Sequence, residues 1–164
     1  DNLQYVSPEI ADGLVVGVTA PFDSDTNFGG ALAAKYSMDN VVVALAYSLG
    51  RDENGFDADD TIGLAGTYSM DDLALIAQYE TNDYQDVIGL EGIYTMGQNQ
   101  FALGYSMASF DASGSEDQSS IFVQALHNMS DNMYVYLEYL TITDVGGADG
   151  IDNDELAIGA VYAF

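Results

Sequence analysis

Apolar and polar residues alternate with a period of two along almost the whole chain, the mark of strands whose two faces meet different surroundings. From Leu14, one face carries Leu14, Val16, Val18, Ala20 and Phe22, and the other carries Val15, Gly17, Thr19 and Pro21. The pattern returns at 32–38, 43–50, 62–69, 73–80, 88–95, 101–108 and 156–164. Three further segments, 2–10, 119–129 and 133–142, follow it less cleanly, because 133–142 is bulky on both faces. Together they predict eleven strands of mostly 8–12 residues. No 3.6-residue period competes with them.

The two faces differ in size as well as polarity. One holds Leu, Val, Ile and Phe with an aromatic near its end, while the other holds Gly, Ala, Ser, Thr and an occasional Gln, Glu or Lys. A soluble β-sandwich places its bulk inward and its charges outward. Here the polar face is too small and too weakly charged to be a solvent-facing skin. A transmembrane barrel fits the pattern, with bulk toward lipid and small polar residues toward a lumen. The expected fold is therefore all-β, an antiparallel transmembrane β-barrel segment over residues 1–164. Gln4, Lys35, Gln78, Glu80, Glu91, Gln124 and Glu138 are its candidate pore-lining residues.

A short phrase recurs along the chain: "YSMDN" at 36–40, "YSMDD" at 68–72, "YTMGQ" at 94–98 and "HNMSDN" at 127–132. With "IADGL" at 10–14, these are tight turns at every second connection. The alternate connections, at 23–27, 51–60, 80–86, 111–118 and 144–154, read as longer acidic loops. Short turns on one rim and long loops on the other are the asymmetry of outer-membrane barrels. Tyr36, Tyr68, Tyr94, Tyr162 and Phe164 then form an aromatic girdle at headgroup depth, where a ring can be apolar on one side and wet at its tip. His127 takes the same slot in the fourth copy of the phrase.

Charge narrows the partners. With 27 acidic residues against two basic ones, the net charge is −25. That disfavours nucleic acid and anionic headgroups as direct partners. Most of the acids sit in the long connections. They suit an outer leaflet of lipopolysaccharide cross-linked by divalent cations, and 51–60 and 149–155 loosely resemble calcium loops without the full ligand pattern. A solvated acidic loop, or adaptation to high salt, explains the same residues. No other cofactor and no metal centre is expected. Cys is absent, which removes disulfides and thiolate ligands. The single His lies in a girdle slot, so a Ser–His or Asp–His catalytic pair is not expected and neither is an enzyme. The chain shows no run of 18 apolar residues and no signal peptide, and Asp1 reads as the start of a processed or truncated chain.

Three stretches carry a family resemblance. The end, "ELAIGAVYAF", resembles the C-terminal signal read by the barrel-assembly machinery of Gram-negative bacteria. "LQYVSPEIADGLVVGVTA" at 3–20 resembles the "RYDSPEFAGF" segment of general porins, and "NMSDNMYVYLEY" at 128–139 resembles their penultimate hairpin. General porins are trimeric and sixteen-stranded, and the segment that 3–20 resembles lies on their sixth strand. The resemblance thus implies strands six to sixteen, with the first five strands and the constriction loop on another fragment or chain. It also implies a homotrimer in the outer membrane, passing small hydrophilic solutes and ions by passive diffusion. Gln4 stands where relatives carry a basic wall residue, so the visible wall is acidic and leans toward cations. The alternative is a small closed barrel with a structural or adhesive role and no general pore.

Overall fold

The computed structural model describes residues 2–21, 29–50 and 59–163. Eleven strands form one sheet in strict sequence order, every neighbour antiparallel. They are β1 (Asn2–Val6), β2 (Leu14–Pro21), β3 (Gly30–Met38), β4 (Val41–Leu49), β5 (Thr61–Met70) and β6 (Leu73–Thr81). The series continues with β7 (Gln85–Met96), β8 (Asn99–Phe110), β9 (Gln118–Ser130), β10 (Met133–Thr143) and β11 (Asn153–Tyr162). The expected eleven-strand antiparallel sheet is thus observed. At roughly 3.3 Å per residue, β3 to β11 are long enough to cross a tilted hydrocarbon span, whereas β1 and β2 are shorter.

Register follows the side-chain alternation. One row across the sheet reads Leu14, Tyr36, Val43, Gly66, Ala77, Leu90, Tyr105 and Ile121. The row one residue over, on the opposite face, reads Val15, Lys35, Ala44, Ala65, Gln78, Gly89, Ser106 and Ser120. A slip of one residue would exchange the faces, so the size difference between them pins the pairing.

The small face is the more enclosed one. Ala102 and Ala108 are the buried hydrophobic residues among those described, and both belong to it. Large side chains on the other face stand open, Leu103 at 61 % and Leu90 at 54 % exposure. On a flat sheet the larger side chains would shield themselves better. The reverse order means that the sheet curves toward its small face, as a barrel wall must. The described residues form no second layer and no conventional core. The apolar face has only an external hydrocarbon phase to bury it. Among the described residues no helix is long and apolar enough to cross a membrane.

The repeated phrase closes two-residue turns. Met38 faces Val41, Met70 faces Leu73 and Met96 faces Asn99. The first turn residue is left-handed each time, with φ of 48° at Asp39, 46° at Asp71 and 60° at Gly97. Asp and Gly are the residue types that tolerate this conformation. The fourth copy holds one extra residue, and a bulge absorbs it: Ser130 faces Met133 while Asn128 faces Tyr134. His127 therefore stays on the large face, opposite Asn99 and Val135.

Two expectations change. The first strand ends at Val6 and not at Ile10, because Pro8 has no N–H for a ladder. Ser7 instead closes the edge, its N–H donating to the Val16 carbonyl (2.8 Å) and its Oγ accepting the Val16 N–H (2.9 Å). The long loop expected over 80–86 is a tight turn of Asn82, Asp83 and Tyr84. Its Asn82 Oδ1 accepts the N–H groups of Tyr84 (2.9 Å) and Gln85 (3.0 Å), an Asx turn that takes the place of a longer loop. The expected loop at 23–27, and residues 51–58 of the one expected at 51–60, lie outside the described residues.

Beyond β10, a single helical turn (Val145–Gly147) folds onto the β8–β9 connection. Glu116 N–H donates to the Gly147 carbonyl (3.0 Å) and Gly146 N–H to Gln118 Oε1 (2.8 Å), tying the two loops together. Within the stretch that loosely resembles a calcium loop, Asp152 accepts the Asp144 N–H (3.2 Å) and Asp144 accepts the Gly150 N–H (2.9 Å). Those carboxylates brace the loop backbone.

The sheet is open. Strand β1 pairs only with β2, and β11 only with β10. An odd number of alternating strands leaves the two free edges parallel to each other.

A candidate pore wall and its two rims

All seven candidate wall residues fall on the small face. Gln4 faces Thr19; Lys35 faces Val15 and Ala44; Gln78 faces Ala65 and Gly89. Glu80 faces Gly63 and Val87, Glu91 faces Ile76 and Gly104, and Gln124 and Glu138 face each other. That last pair fixes the face of β10, which its sequence left open: Tyr134, Tyr136 and Glu138 are on the small face, and Val135, Leu137 and Tyr139 on the large one.

The wall has two textures. On β3 to β5 it is nearly bare: Ala33, Ala44, Ala46, Gly63 and Ala65, with Gln78 and Glu80 of β6 beside them, border a depression of about 400 Å³. Gln78 lies across Gly89, where an added Cβ would stand 2.7 Å from both its Cγ and its Nε2. On β9 and β10 the wall is bulky, with Phe122, Leu126, Tyr134, Tyr136 and Leu140. There the Gln124 amide donates to the Glu138 carboxylate.

Charge on the wall is almost of one sign. Lys35 is its cationic side chain among the described residues, and it forms no ion pair among them. Glu80, Glu91, Glu138 and Glu155 are its carboxylates on β6, β7, β10 and β11. No group of three or more His, Asp or Glu that could hold a metal ion occurs among the described residues. A larger depression of about 740 Å³ lies on the other side of the sheet, around Gly66, Ala77 and Gly92. It opens on the apolar face.

The large face carries two rims. At the turn ends stand Tyr36, Tyr68, Tyr94 and Tyr162, with 44–63 % exposure. His127 joins them, its Nδ1 2.9 Å from the Asn99 Oδ1. Phe164 lies outside the described residues.

The second rim, at the loop ends, was not singled out from the sequence. Tyr47 donates its hydroxyl to Asp60, Tyr79 to Asp86 (2.8 Å) and Tyr139 to Asp154 (2.9 Å). Each Tyr faces an Ile or Leu on the next strand, and the Asp stands two residues before it. "DTI", "DVI" and "DEL" at 60–62, 86–88 and 154–156 were the available signal. The Tyr47 hydroxyl and then the Gly50 N–H hold the Asp60 carboxyl below its ordinary value, because both bonds favour the charged form.

Comparison with known proteins follows the same lines. The family described as Gram-negative porin matches residues 1–147. No curated protein matches the chain. OmpF of Salmonella typhi, solved in complex with daunomycin, is similar over 98 % of this chain and 61 % of its own, with 20 % identity and a TM-score of 0.80. OmpT of Vibrio cholerae, an outer membrane protein, is similar over 98 % and 64 %, with 17 % identity and a TM-score of 0.74. A mutant porin of Rh. blastica is similar over 99 % and 55 %, with 17 % identity and a TM-score of 0.72. At these identities the likeness is one of fold. The chain spans about three fifths of the length of these structures.

Proposed function

This chain belongs to the Gram-negative porins of the outer membrane, and from that premise we propose that it supplies most of the wall of a water-filled channel for passive diffusion of small hydrophilic solutes and ions. The observation that carries this reading is the enclosed small face, where side chains are stripped to Gly, Ala and Ser over β3 to β5 and polar groups project between them. A wall of that kind leaves room for water and performs no covalent chemistry. Selectivity then comes from width and from the field of wall charges. Four wall carboxylates against Lys35 favour cations.

The two free edges belong to the same proposal. Unpaired N–H and C=O groups in hydrocarbon cost several kcal/mol each, so a stable barrel covers them. We propose that further strands, from another segment or another polypeptide, pair with β1 and β11. The similar structures, longer than this chain, support this. Assembly as a homotrimer in contact with lipopolysaccharide is proposed on the family's pattern.

The test is planar-bilayer recording on protein extracted in detergent from outer membranes, with everything that co-purifies. A stable ohmic conductance, with a reversal potential of cation-selective sign across a KCl gradient, is the expected result. A protein that inserts and stays closed to KCl would refute the channel.

A further inference from the structure

Resting on that channel reading, the geometry points to a solute subsite on the lumen side of β9–β11 that retains organic cations with a flat apolar body.

The small face changes character at this end of the sheet. Leu126 faces Tyr136, and Phe122 faces Leu140, where β3 to β5 present Ala and Gly. Apolar bulk on a water-filled wall gains when a solute covers it, by roughly 25 cal/mol for each Å² removed from water.

Tyr136 reaches across the wall to β11. Gly159 stands directly opposite it, and a Cβ there would fall 2.3 Å from the Tyr136 Cζ and 2.4 Å from its hydroxyl oxygen. The hydroxyl end of the ring therefore occupies the space over the glycine backbone. The Tyr134 ring lies 6.2 Å away and is tilted by 43°, giving a two-ring cradle with an open side. Neither hydroxyl has a hydrogen-bond partner among the described residues.

A carboxylate completes the cradle. Glu138 is the next small-face residue along β10, roughly 7 Å from Tyr136 at two residues' rise. Gln124 binds one of its oxygens, which orients the carboxylate and leaves the other free for a ligand. Glu155 stands on the same face, opposite Leu140. Lys35, on β3, is the wall's cation and lies six strands from β9. A positive group on a planar body would find a carboxylate and two ring faces here, both attractive to it. An anion would meet only repulsion. A neutral sugar could use the two tyrosine hydroxyls and Gln124, but it would leave the Glu138 charge uncompensated.

The test uses the complete channel, extracted with the strands that close it, in planar bilayers. The probes are benzyltrimethylammonium, tetramethylammonium (same charge, no ring) and benzenesulfonate (ring, opposite charge). We expect current interruptions by benzyltrimethylammonium to last about tenfold longer than those by tetramethylammonium, with none from benzenesulfonate. Glu138→Gln and Tyr136→Leu should each shorten them about tenfold, while Tyr136→Phe keeps them. If Tyr136→Leu does not fold, Tyr134→Leu replaces it beside Glu138→Gln. Equal dwell times for the two cations, or dwell times unchanged in Glu138→Gln and the Tyr→Leu variant, would overturn the subsite. An unaltered protein that fails to conduct KCl would refute the channel itself, whereas KCl conductance without retention refutes the subsite alone.

Discussion

Glycines in this sheet separate into those the backbone demands and those it does not. Gly13 has φ of 78°, and a Cβ there would sit 2.0 Å from the Ser37 carbonyl oxygen. Gly63 has no atom within 4 Å of its would-be Cβ and an ordinary strand conformation. Gly13→Ala should therefore destabilise the folded barrel by roughly 1–3 kcal/mol, whereas Gly63→Ala should leave it unchanged or slightly firmer. Denaturant midpoints of the detergent-solubilised protein decide this, and equal losses for both would contradict it. His127 is a second case where the residue alone misleads. It is the single His of the chain, yet it stands on the large face opposite Asn99 and Val135 and is bonded to Asn99, and on that placement we propose an interfacial ring.

Hairpins obey the arithmetic of period two. The extra residue in the fourth phrase is tolerated because the bulge beside Met129 takes it up before the wall begins. Deleting Ser130 should remove the bulge and leave a regular two-residue turn with His127 on the same face. Deleting Ser37 should instead carry Tyr36 to the wrong face of the sheet. Heat-modifiable migration on denaturing gels reads the outcome: the first deletion keeps the folded band and the second loses it. The loop-side hairpins hold a different device. Asp60 is held below its ordinary pKa when folded, so its contribution is present above the unfolded pKa and disappears as pH falls through the folded one. Wild type should melt above Asp60→Asn at neutral pH, and the gap should close in acid. A gap that widens in acid would reverse the assignment.

At the scale of the whole molecule, free edges and wall charge dominate. Intact mass under denaturing conditions should reveal polypeptide beyond this 17.5 kDa chain, either joined to it or co-purifying with it. A sole 17.5 kDa species forming a stable barrel would end the proposal that other strands close it. Replacing Glu80, Glu91 and Glu138 together by Gln should move the reversal potential in a KCl gradient toward zero and weaken its dependence on salt. Replacing Lys35 by Gln should move it the other way, toward stronger cation preference.

Sequence by itself determined the strand count, the two faces and the turn-side rim, because a period of two with unequal face sizes has one reading in lipid. It also placed Lys35, Gln78, Glu80 and Glu91 together, since each sits in a clean alternation, and Gln4 and Gln124 with them from less regular segments. It could not place Tyr134, Tyr136 and Glu138, where both faces are bulky. Only pairing with β9 through a bulge and with β11 decided them. The Tyr–Asp rim was hidden for a related reason: partners diagonal across two strands become neighbours only once register is fixed. The turn at Asn82 looked like a long loop because acidic composition does not report hydrogen bonds. Curvature belongs to the tertiary structure as well. The direction in which the sheet bends is what turns a row of small residues into the inside of a wall.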